Sequence, residues 1–211
     1  MNPREASSLA VHKDLPSLAR FVEALPRGLD SCPEYEVKGS LVREVAAHTT
    51  LQDAEIFPAE LLSLVRNPPA VSTWVREAHF NALMLAIFDL QVARTGNPRV
   101  MHEAAYAQTK ALLNTALYRI LFVLMSPERL LSGLEKRWSA LRRGTRIELR
   151  ESTAGMACIR MHYAPHLYTQ LLVEFRAESL RAALECAGGK HCKSRVALYT
   201  PTLSDFVLVW S

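Results

Sequence analysis

At Gly144 the hydrophobic pattern of this chain changes its period from 3.6 to 2, and that switch separates what can be helix from what can be sheet. Residues 145–151 and 156–163 alternate apolar and polar side chains like strands, with a turn over residues 152–155. Pro165 then opens a long helical stretch to about residue 187, closed by Gly188 and Gly189. Residues 192–199 and 206–210 alternate again around a turn at 201–204. The last third therefore reads ββαββ, an antiparallel sheet with a helix laid on one face.

Before Gly144 helical spacing dominates. Asp14 is placed to cap a short helix over residues 15–25, which Pro26 and Gly28 end, and Ser31-Cys32-Pro33 reads as a linker. Residues 35–38 are a short extended segment, and Gly39 allows a turn into a helix carrying Leu41, Val42 and Val45. Pro58 opens the next helix, and Asn67-Pro68-Pro69 breaks it. The strongest helix covers residues 73–94; its stretch from Ala82 to Phe88 is apolar nearly all round, as in a helix central to a bundle. A long helix or broken pair follows over residues 99–125. Ser126 is then the N-cap and Pro127 the first position of a helix running to about residue 142. The expected fold is α+β: an N-terminal helical bundle followed by a ββαββ unit with a four-stranded antiparallel sheet. Residues 1–33 are expected as an appendage and residues 34–211 as a single domain, helical over 34–144 and ββαββ over 145–211.

Composition narrows the partners. Hydrophobic residues make up 49% of the 211 and charged residues 22%, enough for a packed core. The net charge of +4 comes without the dense basic cluster of a nucleic-acid binder, so nucleic acid is not an expected partner. Residues 1–11 carry no apolar segment of a secretory signal. The longest apolar stretch, residues 112–125, is interrupted by Asn114, Thr115 and Arg119 and falls short of the roughly 20 residues that span a bilayer. The expectation is a cytoplasmic protein off the membrane, with Cys32, Cys158, Cys186 and Cys192 as thiols.

No Gly-x-Ser-x-Gly, P-loop or Gly-x-Gly-x-x-Gly occurs, and no nucleophile–base pair converges, so no enzyme is expected. Cys158, His162, Cys186, His191 and Cys192 are of zinc-binding type. They lack a Cys-x-x-Cys pair, however, and the long helix separates the two groups, so neither a metal nor a cofactor is expected. His102-Glu103 begins like a zincin motif, but Tyr106 stands where the second histidine belongs. On the first two strands Ile147, Leu149, Ile159, Met161 and Tyr163 share one parity, and Arg146, Glu148, Arg150, Arg160 and His162 the other. With the apolar parity against the helix, Arg146, Arg150, Arg160 and His162 form an outer face suited to an anion or an acidic partner.

Several spaced motifs resemble a myxobacterial paralogous family of uncharacterised proteins, over residues 35–210. They are Tyr35-Glu36-Val37-Lys38-Gly39-Ser40, Val71-Ser72-Thr73-Trp74-Val75, His79-Phe80-Asn81-Ala82-Leu83, Leu117-Tyr118-Arg119, Ser126-Pro127-Glu128-Arg129-Leu130, Trp138 and Arg143-Gly144-Thr145. A looser, topological similarity is to heme-nitric-oxide/oxygen-binding (H-NOX) domains and 4-vinyl-reductase-like sensor domains, which implies a small ligand held between helices and sheet. The heme members carry Tyr-x-Ser-x-Arg after the second strand. Tyr163-Ala164-Pro165-His166-Leu167 stands here instead, which speaks against heme propionates held in the same manner; His102 is the residue considered as an axial heme ligand. The functional expectation is a non-enzymatic regulatory or signalling module acting through a protein partner or a small ligand. The alternative is a small-molecule sensor whose apolar pocket, between the helices and the sheet, is lined by Phe80, Met84, Phe88, Leu117, Tyr118, Leu121, Trp138 and Tyr163.

Overall fold

The computed structural model describes residues 14–115, 118 and 125–211. The chain divides into two compact units, Met1–Val100 and Met101–Ser211. The division thus falls inside the stretch read as one helical bundle. No helix among the described residues is long and apolar enough to cross a membrane.

Unit 1 is built around helix α5 (Glu77–Thr95), whose buried residues run from Ala78 through Ile87 with few interruptions, as the all-round apolar stretch requires. Gly96 ends it in a left-handed conformation, φ 64°, with its N–H on the Val92 carbonyl. Helix α1 (Pro16–Ala24) packs on α5 and buries Leu18, Ala19 and Phe21. Within the segment read as an appendage, residues 16–24 therefore belong to the core of unit 1. Its cap is not Asp14: the N-cap is Leu15, which has no side-chain acceptor. The carboxylate of Asp89 on α5 takes over, accepting from the N–H groups of Ser17 at 2.8 Å and Leu18 at 3.1 Å.

After strand β1 (Pro26–Leu29), two three-residue strands, β2 (Glu36–Lys38) and β3 (Trp74–Arg76), pair antiparallel with Val37 opposite Val75. Each strand runs straight into a helix: β2 into α2 (Gly39–Ala47) and β3 into α5. The stretch expected as helix from residue 73 thus begins as strand, because this ladder claims its first backbone groups. Helices α3 (Leu51–Ala54) and α4 (Ala59–Arg66) complete the unit, α4 against α2 and α5.

Unit 2 opens within the first turn of α6 (Val100–Leu113) and continues with two short helices, α7 (Pro127–Ser132) and α8 (Leu134–Ser139). Ser126 caps α7 as expected, its Oγ accepting from Arg129 N–H. The single helix expected to residue 142 breaks at Gly133. There Arg137 folds back so that its Nη1 donates to the carbonyls of Arg129 and Leu130, each at 3.2 Å, and a Cβ on Gly133 would stand 1.8 Å from that guanidinium. Strands β4 (Arg142–Arg143), β5 (Arg146–Thr153), β6 (Met156–His162), β7 (Lys193–Tyr199) and β8 (Leu203–Val209) follow, with α9 (Gln170–Cys186) between β6 and β7. Strands β5 to β8 form a four-stranded antiparallel sheet in the order β5-β6-β8-β7. The fold is α+β, with the ββαββ order that the period switch requires. Ile147, Ala157, Ile159, Met161, Phe206 and Leu208 are the buried parity, and α9 packs on β7 and β8.

Candidate ligand-binding site

On α9, Leu172, Arg176 and Leu180 are spaced by four residues and share one helix face. Leu172 and Leu180 are buried, and Arg176 is half-buried in their line. Its guanidinium lies 5.6 Å from the ring of Trp138 on α8 and 6.0 Å from the ring of Tyr168 in the loop before α9. Arg142 of β4 lies 5.1 Å from the same Trp138 ring, and its Nη1 donates to Tyr168 Oη at 3.1 Å. Trp138 is fixed by its indole N–H, which donates to Thr145 Oγ1 at 3.2 Å. Two guanidiniums thus share one aromatic cage.

The electrostatics follow from that sharing. Burial, then the neighbouring Arg176 charge, push the Arg142 group down to about 9, with Tyr168 acting in the other direction. Arg142 therefore still carries its charge at neutral pH, while 2% exposed. Tyr168 also stacks on Tyr163, ring centroids 4.8 Å apart. Tyr163 Oη donates to the Thr200 carbonyl at 2.9 Å and sits 2.6 Å from Ser204 Oγ. Burial pushes its phenol up to about 12. The guanidiniums lie over the rings, so the N–H edge of the half-buried Arg176 is the part of the cage suited to an anion.

The sequence-derived pocket residues fall in separate places. Phe80, Met84 and Phe88 line one face of α5 in unit 1, where Phe80 and Met84 are buried and Phe88 half-buried. Trp138 and Tyr163 belong to the cage in unit 2. Tyr118 is half-buried, and Leu117 and Leu121 lie outside the described residues. Arg176 and Tyr168 escaped the sequence reading; the available signal was a cation in register with Leu172 and Leu180 on an otherwise apolar helix face.

The outer face of the sheet carries its own carboxylates. Arg160 makes a bidentate pair with Asp205 on β8, Nε and Nη2 each donating at 2.7 Å. Arg150 donates to Glu148 at 3.2 Å, and His162 lies 3.5 Å from the same carboxylate. The bond to His162 leads the causes that hold the Glu148 carboxyl below its ordinary value. A bulge between Leu149 and Glu151 takes Arg150 out of the simple alternation. Arg150 and Arg160 are thus neutralised within the face, while Arg146 is exposed and makes no ion pair among the described residues. Among the described residues no three His, Cys, Asp or Glu side chains gather as metal ligands.

This arrangement is that of an α+β domain with a four-stranded antiparallel sheet. Among solved structures it is similar to an oxygen-binding H-NOX domain related to soluble guanylate cyclases, with TM-score 0.54, 7% identity, and 82% of this chain and 92% of that one covered. It is equally similar to a structure reporting the mechanism of H-NOX activation, with TM-score 0.54, 7% identity, and coverage of 82% and 94%. The Fe(II) unliganded H-NOX protein from K. algicida matches with TM-score 0.52, 11% identity, and coverage of 82% and 96%. At such identities the likeness shows the fold, which spans nearly the whole of each of those domains. No protein-family model and no curated protein matches the sequence, so the resemblance to a myxobacterial family finds no support here, whereas the topological one to H-NOX domains does.

The fold raises heme, and the residues present do not fit it. Tyr163 directs its hydroxyl to Thr200 and Ser204, while Pro165 and the buried Leu167 occupy the places of the serine and arginine. His102 on α6 turns Nε2 to Glu174 on α9 at 3.6 Å and sets its ring edge-on to Phe175, 5.5 Å between centroids. A propionate would thus find neither the serine hydroxyl nor the arginine guanidinium of that motif, and the one histidine considered for the iron is engaged within unit 2.

Proposed function

We propose that this protein is a non-enzymatic, small-molecule sensor domain of the H-NOX fold whose ligand is not heme held in the H-NOX manner. The fold carries this reading: it matches sensor domains over 92–96% of their length. The cage of Trp138, Arg142, Tyr168 and Arg176 is the proposed place for a ligand in unit 2, independent of the missing heme grip. Trp138 and Tyr163 are the proposed ligand contacts there. Phe80, Met84 and Phe88 are the proposed apolar contacts in unit 1, with Leu117, Tyr118 and Leu121 as further proposed contacts. A protein partner is proposed on the outer sheet face at Arg146, since Arg150 and Arg160 have carboxylates of their own.

Native mass spectrometry and absorption spectroscopy of the purified full chain test this reading. The expected result is a small-molecule adduct above the chain mass with no Soret band. A stoichiometric Soret band would overturn the heme argument. A bare chain mass, together with no thermal shift from any fraction of a metabolite extract, would overturn the sensor reading.

A further inference from the structure

We propose that the Arg176 guanidinium, with the Arg142 charge behind it, recognises the acid group of a small organic anion, a carboxylate or phosphate monoester, whose apolar body lies against the half-buried Trp138 ring. This deepens the sensor reading and rests on it for its biological meaning.

The case begins with Arg176. A guanidinium set in a row with buried leucines loses hydration, and that loss is tolerable only when its N–H groups find acceptors. Its flat faces are served by the two rings, at 5.6 and 6.0 Å. Its edge is not: Nε is buried with no hydrogen-bond partner, and among the described residues no carboxylate pairs with Arg176. A face-on contact with a ring leaves the N–H fork free in the plane, which is the direction a carboxylate or phosphate approaches.

Arg142 adds a second charge to the cage while keeping its bond to Tyr168 Oη. Like charges this close raise each other's energy, as the lowering of Arg142 by Arg176 records. An anion on the Arg176 edge lowers the energy of both. Chloride would satisfy the charge but leave the exposed part of the Trp138 ring without an apolar contact. The half-buried Trp138 ring favours an anion carried on an apolar body. The fork geometry favours an oxyanion with two acceptor oxygens over a single point charge.

Isothermal titration calorimetry on the full chain tests this with four probes at matched ionic strength: inorganic phosphate, phenyl phosphate, benzoate and neutral benzyl alcohol. Phenyl phosphate or benzoate should bind with a dissociation constant in the millimolar range or tighter, inorganic phosphate more weakly, and benzyl alcohol not measurably. Which of the two aromatic anions binds better assigns the acid group. Arg176→Gln should weaken binding about tenfold or more, the scale of one charge-assisted hydrogen bond. Arg176→Lys keeps the charge and loses the fork; it should fall between the two and reads the site even where the glutamine variant fails to fold. Arg146→Gln, on the exposed sheet face, should bind as the native chain does.

The proposal is overturned if no organic anion binds at millimolar concentration, if the neutral probe binds as well as benzoate, or if both Arg176 variants bind like the native protein. Its failure is distinct from failure of the sensor reading. A neutral ligand in the native mass spectrum with no anion binding removes this proposal alone. Anion binding through Arg176 in a chain that purifies bare and responds to no extract removes the sensor reading alone.

Discussion

Asp89 is the clearest place where one side chain holds two distant elements of unit 1 together. Helix α1 starts at Pro16, which has no N–H, and its N-cap Leu15 offers no acceptor. The first free donors, Ser17 N–H and Leu18 N–H, both go to Asp89 Oδ2, at 2.8 and 3.1 Å. Asp89 is 5% exposed, so water does not readily replace it. A negative charge at a helix N-terminus gains further from the peptide dipoles. Asp89→Ala removes two charge-assisted bonds and leaves two donors at the α1 terminus without an acceptor, a cost of about 2–3 kcal/mol from capping and charged hydrogen-bond scales. Asp89→Asn keeps one acceptor oxygen and loses the charge, for about 1 kcal/mol. Urea denaturation measures the global loss. Amide hydrogen exchange at Ser17 and Leu18 measures the local one, where protection in Asp89→Ala should fall roughly 30- to 100-fold. Equal stability of the native chain and Asp89→Ala, or unchanged protection of those two amides, would refute the reasoning.

Three further outcomes follow from the same structure. Tyr163→Phe removes the phenol's bonds to Thr200 and Ser204 and leaves the fully buried Ser204 Oγ without the phenol, at about 1–3 kcal/mol by denaturation. Because burial raises the folded phenol to about 12, the unfolded chain ionises first. The stability Tyr163 contributes is therefore complete below the ordinary tyrosine value and lost as pH rises toward 12; tyrosinate absorbance should show one late-titrating group absent from Tyr163→Phe. The bond from Arg160 holds the Asp205 carboxyl below its ordinary value, so the pair's contribution is complete above the ordinary carboxylate range and lost as pH falls through the lowered folded value; Arg160→Met should flatten that acid limb of the stability profile. Gly39→Ala places a Cβ 2.2 Å from the Ala70 carbonyl oxygen, at a residue whose N–H is already held by Thr73 at 2.7 Å, and should cost about 3 kcal/mol or block folding, read by circular dichroism and urea melts.

The Gly39 case also separates what was legible from what was not. The sequence marks Gly39 as a turn, and the turn is there, but the reason for a glycine is the approach of another backbone, which no local pattern encodes. The same holds for the candidate site. Trp138 and Tyr163 were visible as aromatic residues beside apolar ones. Arg176 became a site residue only when α9 set its guanidinium beside the ring from α8 and the second arginine from β4. On the outer sheet face the strand parity was legible; that Arg160 meets Asp205, 45 residues away on β8, depended on the strand order β6-β8.

By itself the sequence determined the α+β class, the ββαββ order after Gly144, the buried helix through Ala82 to Phe88, and the Ser126 cap. Each of these rests on signals that act within about one helical turn or one strand period. Tertiary structure decided the rest: that residues 74–76 pair as strand before α5 begins, that Asp89 and not Asp14 caps α1, and that Arg142 and Arg176 of unit 2 share one cage. The physical reason is separation along the chain. Asp89 and Ser17 lie 72 residues apart, and a hydrogen bond between them exists only after packing has brought α1 onto α5.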